Sequence, residues 1–517
     1  MAKFLFTLIA LNLLLWNIFI PIFELPSEQL YFSRVQEIYT HKKLPNLLQA
    51  HPGDLSYPDT YLILLTPVTS LFNPPQIFFP QTRNFNPQVI VSLPSQRGTY
   101  NRFIHLTPEK QFRWNNFEWS IHAMRLLTSL IYLLSAWITY KTAQKLFTAI
   151  HHLPFAILLF TGFAPKMVHR AASIVNLPLL FLSFSLFYYF ALTRHPNRTT
   201  AFLLGLSAGL GIITKITGYN LVIFFLVYLF FFIPSFRQRL SQLLPFSLGG
   251  FLISGWYFIR NWLLYGNPII PILPQLEPPL PAEAIATLGN QFNYWYSVIF
   301  NTFRTFWDGF GWEVISLGRW FNFFIIIVTT TTILGFTAYF KKASLNLKFL
   351  TITLIIYILT FLIINLKFFT PQGKDFMPLL LPIAVIYILG LKSWRLVNSR
   401  AYLISITLIS TYFFSKLAII NFLKTGQLYH LALVITDGLL IFFVVKLYLR
   451  FPGLKLNLSP FAWTLLAFAI NVIILFLIVS PKTFGEQNIS PSEYYFQRSQ
   501  SELTLSQTLL QFINPHP

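Results

Sequence analysis

Long apolar runs constrain this chain more than any other feature of its sequence. The first runs from Phe4 to Phe23, and similar runs recur as far as residue 480. An α-helix needs about 20 apolar residues to cross the hydrocarbon core of a bilayer, and it satisfies its own backbone hydrogen bonds there. Hydrophobic residues make up 55% of the chain and charged residues only 10%, which excludes a soluble domain. The sequence therefore predicts an all-α integral membrane protein.

The apolar runs predict about 13 transmembrane helices. No small-residue cleavage site follows the first run, because Glu24, Leu25 and Pro26 come next. We therefore expect that run to remain as the first span. The predicted spans are 4–23, 120–143, 153–169, 173–193, 200–217, 219–234, 244–263, 320–340, 347–366, 376–392, 400–420, 427–447 and 460–480.

Lys and Arg in the short loops set the predicted orientation. If the N-terminus lies in the cytoplasm, all the charged residues of the predicted cytoplasmic loops are basic, as the positive-inside rule requires. These residues are Lys141, Lys145, Arg194, Arg198, Arg237, Arg239, Lys341, Lys342, Lys348, Lys392, Arg395, Arg400, Lys446, Arg450 and Lys455. Every Asp and Glu except Asp437, which lies within a predicted span, then falls on the outer side. The prediction is a multi-pass protein of the cell (plasma or inner) membrane with its C-terminus outside.

Two large loops and a tail lie on the predicted outer face. Residues 1–480 are expected to form the membrane domain, with outer loops at 24–118 and 264–319, and residues 481–517 form the outer tail. Within the first loop, 59–72 is apolar but too short to span, and it suits an interfacial helix. Residues 28–41 place Leu30, Val35 and Ile38 along one side, which predicts a second interfacial helix.

The net charge of +21 does not indicate nucleic-acid binding, because the basic residues are scattered in short loops between apolar runs. The chain has no cysteine, so disulfides and thiolate metal sites are excluded. No cofactor is indicated. A divalent metal around His51, Asp54 and Asp59 is an open but weak alternative, since these residues have no regular helical spacing.

Four groups of motifs occur in a fixed order. They are PSEQLYFSR (26–34), YPDTYLILLTP (57–67), the pair GLSAGLGIITKITGY (205–219) and WYFIRNWLLYGNP (256–268), and the pair FWDGFGWEVISL (306–317) and TPQGKDFMPLLLP (370–382). The ordered set resembles the GT-C superfamily, multi-pass glycosyltransferases that use polyprenyl-phosphate sugars, and in particular a poorly characterised bacterial branch. The resemblance covers residues 20 to 390. It departs at Ser27, Tyr31, Leu177 and Asp375, where the branch has Asp, His, an acid and Tyr, and at Lys374, where it has Arg.

The resemblance implies a glycosyltransferase whose partners are the lipid bilayer, a polyprenyl-phosphate sugar donor and an outer-face glycolipid, polysaccharide or protein acceptor. Transfer would proceed with inversion, with a carboxylate as base and cations on the departing phosphate. One alternative is an envelope protein that keeps the fold without the reaction, as the missing acids at 27 and 177 suggest. Another is a lipid-linked sugar transporter or flippase, although only Asp437 provides a charge at mid-membrane.

Charged residues at the outer ends of spans are the candidate site residues. Glu28 is the first choice for the base and Glu24 the second, while a helix start capped by Ser27 is an equally good interpretation of Glu28. Candidates for binding the donor phosphate are Lys374, Arg260, Arg170 and Lys215; the alternative for each is an interfacial anchor. Candidates for contacting the sugar or acceptor are Arg34, Asp308, Trp312 and Glu313, although Arg34 is also spaced to pair with Glu37.

Overall fold

The computed structural model is helical in the residues that it describes, as the apolar runs predict. The described residues are 2–24, 28–44, 60–74, 114–148, 153–269, 281–310, 317, 319–340, 343–393 and 460–475. Several predicted features lie outside these ranges. They are the spans 400–420 and 427–447, the tail 481–517, and the residues Ser27, His51, Asp54, Asp59, Trp312, Glu313 and Asp437. The all-α membrane fold class is confirmed, and the count of 13 spans stays a prediction.

The first part of the chain forms ten helices in the described residues, up to residue 265. They are α1 (Ala2–Phe19), α2 (Glu28–His41), α3 (Thr60–Phe72), α4 (Asn116–Leu146), α5 (Leu153–Phe163), α6 (Pro165–Ala171), α7 (Leu177–Thr193), α8 (Arg198–Ile212), α9 (Asn220–Phe232) and α10 (Phe236–Tyr265). A 3-10 turn, Ile216–Tyr219, joins α8 to α9.

Six further helices follow in the described part of the chain. They are α11 (Pro281–Leu288), α12 (Gln291–Trp307), α13 (Arg319–Phe340), α14 (Leu345–Asn365), α15 (Leu380–Ser393) and α16 (Pro460–Ile473), with a 3-10 turn at Gly373–Leu379 before α15. Of the described helices, α1, α4, α10, α14 and the continuous helical stretch Gly373–Ser393 are long and apolar enough to cross a membrane.

The two predicted interfacial helices are present. The prediction 28–41 coincides with α2, and 59–72 differs from α3 by one residue. The two helices contact each other, and α3 also packs on α4. Tyr61 is the main anchor, because its buried ring meets Tyr31 edge to face at 5.7 Å and its hydroxyl lies 2.5 Å from Thr128 Oγ1. Helices α2 and α3 are thus held together against α4.

The predicted span 153–169 is divided in the structure. Helix α5 ends at Phe163, Ala164 is extended, and the separate short helix α6 begins at Pro165. Proline is favoured at a first helical position because its missing N–H would have no helical partner there. Because of this break, residues 165–171 form a separate short helix between α5 and α7. All residues of this helix from Lys166 to Ala171 are buried.

Glycines allow α8 and α10 to pack closely. Gly205 and Gly209 form a G-x-x-x-G pattern on α8, facing Gly249 and Gly250 of α10. A methyl group on Gly205 would lie 2.9 Å from the amide nitrogen of Gly250, and one on Gly209 would lie 2.6 Å from its carbonyl oxygen. Small residues let membrane helices approach backbone to backbone in this way. The motif at 205–219 therefore has a packing function, and it fixes the helix that leads to Lys215.

Candidate functional site

A buried charged cluster lies where α1 ends, α2 and α4 begin, and α6 lies between α5 and α7. We call this the charged end of the bundle; its members are Glu24, Glu28, Arg125, Lys166, His169 and Arg170. All six side chains are buried. Charged groups are rarely buried without a partner or a function, because removing them from water is costly. Most of the buried ionisable side chains of the described residues therefore lie at this end, which makes it the candidate site.

Glu28 and Arg125 form a fully buried ion pair. Arg125 Nε donates to Glu28 Oε1 at 2.8 Å, and Nη2 donates to Oε2 at 2.7 Å. Neither side chain is exposed. Two parallel N–H···O bonds between a guanidinium and a carboxylate give a strong and directional pair. The pair joins the first residue of α2 to the third turn of α4.

Backbone N–H groups occupy the remaining positions around the Glu28 carboxylate. The N–H of Phe23 donates to Oε2 at 2.9 Å, and the N–H of Ile174 donates to Oε1 at 3.0 Å. Each oxygen therefore accepts two hydrogen bonds. This arrangement favours a positioning role for Glu28 over the role of base, because a base needs a lone pair directed at the attacking hydroxyl.

Glu24 lies in the turn that Glu28 holds. Its side chain is only 2% exposed. The preceding residue, Phe23, has a φ of +65°, a left-handed conformation that is uncommon for a bulky residue. Such strained backbone persists only where surrounding contacts hold it, and it is often found at functional sites. Glu24 is thereby held at a defined position immediately after α1.

The three cations of the charged end surround His169, which lies on α6. Burial, and then the positive charges of Lys166, Arg170 and Arg125, lower the pKa of His169 well below its ordinary value. Its ring also meets Trp16 edge to face at 5.5 Å and Phe310 at 5.4 Å. The charged end thus contains three cations and two carboxylates in the described residues, an excess of positive charge that suits an anion.

A second group of charges joins the motifs at 205–219 and 370–382. Lys215 Nζ forms an ion pair with Asp375, and the Tyr357 hydroxyl donates to the Asp375 carbonyl at 2.5 Å. Asn176 Nδ2 donates to the carbonyl of Thr214 at 2.9 Å, which links this group to the loop after α6. Asp375 stands where the bacterial branch that the motif resembles has Tyr, and here its carboxylate pairs with Lys215.

Lys374 is positioned by close packing of its turn on α12. The N–H of Gly373 donates to Thr305 Oγ1 at 2.8 Å. A methyl group on Gly373 would lie 2.6 Å from Phe306 Cα, so a side chain cannot be accommodated without movement. The half-buried Lys374 follows directly. The close contact of Gly373 with α12 therefore fixes the backbone next to Lys374, and a phosphate-binding role for Lys374 stays a prediction.

The other predicted residues lie in different settings. Arg34 Nη1 pairs with Glu37 Oε2 at 2.6 Å, as the three-residue spacing predicted. Arg260 is half-buried near the end of α10. Asp308 is buried and accepts the N–H groups of Gly309 at 2.7 Å and Leu317 at 2.8 Å, so it organises the loop after α12. A sugar-binding role for Arg34 and Asp308 and a phosphate-binding role for Arg260 stay predictions.

Sequence reasoning missed Arg125, Lys166 and His169. Arg125 lies inside the predicted span 120–143, and a charge within an apolar span is by itself a signal of function or of a buried partner. Lys166 and His169 fell within the predicted span 153–169, and Pro165 was the available signal that this helix breaks. These residues could have been found by examining every charge inside an apolar run.

Comparisons with known proteins agree with this architecture. A family model described as dolichyl-phosphate-mannose-protein mannosyltransferase matches residues 116–256, from the start of α4 into α10. No curated protein matches the chain.

Two solved structures of ArnT from Cupriavidus metallidurans share the fold at 15% identity. The structure bound to undecaprenyl phosphate has a TM-score of 0.51 and covers 93% of this chain and 77% of that chain. The apo structure has a TM-score of 0.54 and covers 94% of this chain and 78% of that chain. The chain accordingly shares the fold of these two ArnT structures over most of its length.

Proposed function

We propose that the protein transfers a sugar from a polyprenyl-phosphate donor to an acceptor at the membrane surface. The observation that carries the proposal is the charged end, where the cations of α6 and α4 are buried beside two carboxylates at one end of membrane helices. A phosphate ester with a long apolar chain matches this combination of buried positive charge and surrounding lipid. The ArnT structure bound to undecaprenyl phosphate supports the same donor class.

The reaction requires a base and a stabilised leaving group. The acceptor oxygen attacks the anomeric carbon as the bond from that carbon to the phosphate oxygen breaks, which inverts the configuration. The acceptor proton passes to a carboxylate, and polyprenyl phosphate leaves with the bonding electrons. We assign the base to Glu24, because four N–H donors occupy the two oxygens of Glu28.

Cations of the charged end, together with Lys374, would neutralise the departing phosphate. We assign this role to Arg170 and Lys166 on α6 and to Lys374 on its glycine-anchored turn. Lys215, which forms an ion pair with Asp375, is a further candidate. Arg and Lys stabilise developing negative charge most effectively where water is excluded. In the orientation that the positive-inside rule predicts, with the N-terminus in the cytoplasm, the charged end lies on the outer face of the cell membrane.

The test is donor turnover by the purified protein in lipid nanodiscs. Undecaprenyl-phosphate sugars are supplied with a lipid extract of the cell envelope as acceptor, and the release of undecaprenyl phosphate is followed. Glu24→Gln should lower turnover by about 10²–10⁴-fold with little change in donor affinity, because a general base acts in the transition state. Glu118→Gln is the matched control, since Glu118 caps the start of α4 at the same end of the bundle.

Three results would contradict the proposal. Unchanged turnover in Glu24→Gln would remove Glu24 from the role of base. An absence of turnover by the wild-type protein with every donor would favour the alternative of a fold retained without the reaction. Movement of intact donor across the bilayer without release of undecaprenyl phosphate would instead identify a transporter.

A further inference from the structure

Arg125 uses every N–H group of its guanidinium in the buried network. Besides the two bonds to Glu28, Nη1 donates to the carbonyls of Asn17 at 3.0 Å and Ile20 at 2.7 Å, and Nη2 donates to the carbonyl of Pro21 at 2.9 Å. A guanidinium has five N–H donors, so each of them has an acceptor. Three of these acceptors are carbonyls at and just after the end of α1, which have no helical partner of their own.

Both oxygens of the Glu28 carboxylate are also fully hydrogen-bonded. Its two oxygens connect Arg125 to the N–H of Phe23, one residue before Glu24, and to the N–H of Ile174, four residues after Arg170. The Ser173 hydroxyl continues this link by donating to the Arg170 carbonyl at 2.7 Å. One ion pair therefore contacts both the turn that carries the acid and the loop that follows the cationic helix.

We infer that Arg125 and Glu28 form a positioning pair that sets the placement of Glu24 relative to the cations of α6. The inference rests on the proposed function and assigns neither residue a contact with substrate. A buried ion pair is weak evidence for stability, whereas a fully satisfied network specifies one arrangement of the groups attached to it. Because a displacement of about 1 Å can reduce turnover by about 10²-fold, this arrangement matters for the reaction.

Hydrogen exchange tests the coupling independently of turnover. Exchange of the amides of Phe23 and Ile174 is followed by mass spectrometry in the wild-type protein, in Glu28→Gln and in Arg125→Lys. The Glu28→Gln variant would present an amide NH₂ where an acceptor is required, and the Arg125→Lys variant would lose the two parallel bonds. We expect faster exchange in both segments in both variants, with the Glu118→Gln control unchanged.

Turnover separates a positioning role from a merely structural one. For Glu28→Gln we expect kcat to fall by about 10²-fold while KM for the donor changes little. Glu28→Asp, which keeps the charge but shortens the side chain, should recover part of kcat, and it provides the same test if Glu28→Gln fails to fold.

Three outcomes would overturn the inference. The first is faster exchange in only one segment or in neither. The second is turnover as high in Glu28→Gln as in the Glu118→Gln control. The third is a fall in kcat that a smaller amount of folded protein accounts for completely. If the wild-type protein has no turnover, the proposed function fails and the catalytic part of this inference fails with it, while the exchange data still decide whether the two segments are coupled.

Discussion

The α8–α10 contact yields a prediction with a control on the neighbouring residue. Gly249→Ala would place a methyl group 3.0 Å from the Leu206 amide nitrogen and nearer still to the Phe202 carbonyl oxygen. Gly250→Ala would place one 3.6 Å from the nearest atom, the Gly205 carbonyl oxygen, which is an ordinary contact. Both positions lie in the interior of the same helix, so the two substitutions differ in packing alone.

The magnitude follows from that difference. Replacing Gly by Ala inside a helix gains about 1 kcal/mol from backbone propensity, and this gain is common to both variants. At residue 249 the two helices must separate by at least 0.4 Å to bring the Leu206 contact from 3.0 Å to the ordinary 3.4 Å. Overpacking of this kind costs about 1–3 kcal/mol because the interior yields little. The free energy of unfolding should therefore be lower in Gly249→Ala than in Gly250→Ala by about 1–3 kcal/mol.

The measurement is unfolding of both variants by denaturing detergent under identical conditions, followed by the fluorescence of the tryptophans. Gly205→Ala serves as a repeat from the other side of the contact, because its methyl group would lie 2.9 Å from the Gly250 amide nitrogen. Equal stability of Gly249→Ala and Gly250→Ala would refute the reasoning. It would mean that the helices separate freely, and the backbone contact would then have no part in holding α8 and Lys215 in place.

Two further predictions concern the charged groups. Gly373→Ala should weaken donor binding by up to about 10²-fold, because a methyl group 2.6 Å from Phe306 Cα displaces the turn that carries Lys374; donor affinity in nanodiscs measures this. His169→Gln should reduce the loss of stability on acidification from pH 7 to pH 5. The folded-state pKa of His169 is lowered, so below about pH 6.5 the unfolded state alone takes up the proton and is favoured; apparent Tm against pH measures this.

Each of these predictions has a contrary outcome. If Gly373→Ala and Gly250→Ala bind the donor with equal affinity, the turn that carries Lys374 has no part in donor binding. A Tm profile of His169→Gln parallel to that of the wild-type protein would show that His169 takes up its proton in the folded state. Its environment would then hold less positive charge than the cluster of Lys166 and Arg170 implies.

The sequence predicted the helices better than the site. Apolar runs determine helices in a membrane almost by themselves, which is why α3 and most described spans lie within a few residues of their predicted bounds. Helix α2 was predicted instead from the apolar residues along one side of 28–41. The Arg34–Glu37 pair was also predictable, since it depends only on helical spacing. The partner of Glu28 was not, because Arg125 is 97 residues away. Which distant residues meet is decided by tertiary packing.

The ion pair also has a bearing on how the chain enters the membrane during synthesis. An Arg within a spanning helix opposes insertion by about 2.5–3.5 kcal/mol at mid-bilayer and by less toward the helix ends. Every acceptor of Arg125, from the Asn17 carbonyl to the Glu28 carboxylate, precedes it in the chain. When α4 leaves the ribosome, α1 and the Glu28 counter-charge have already been made. The order of translation thus allows α4 to enter the lipid with its guanidinium neutralised.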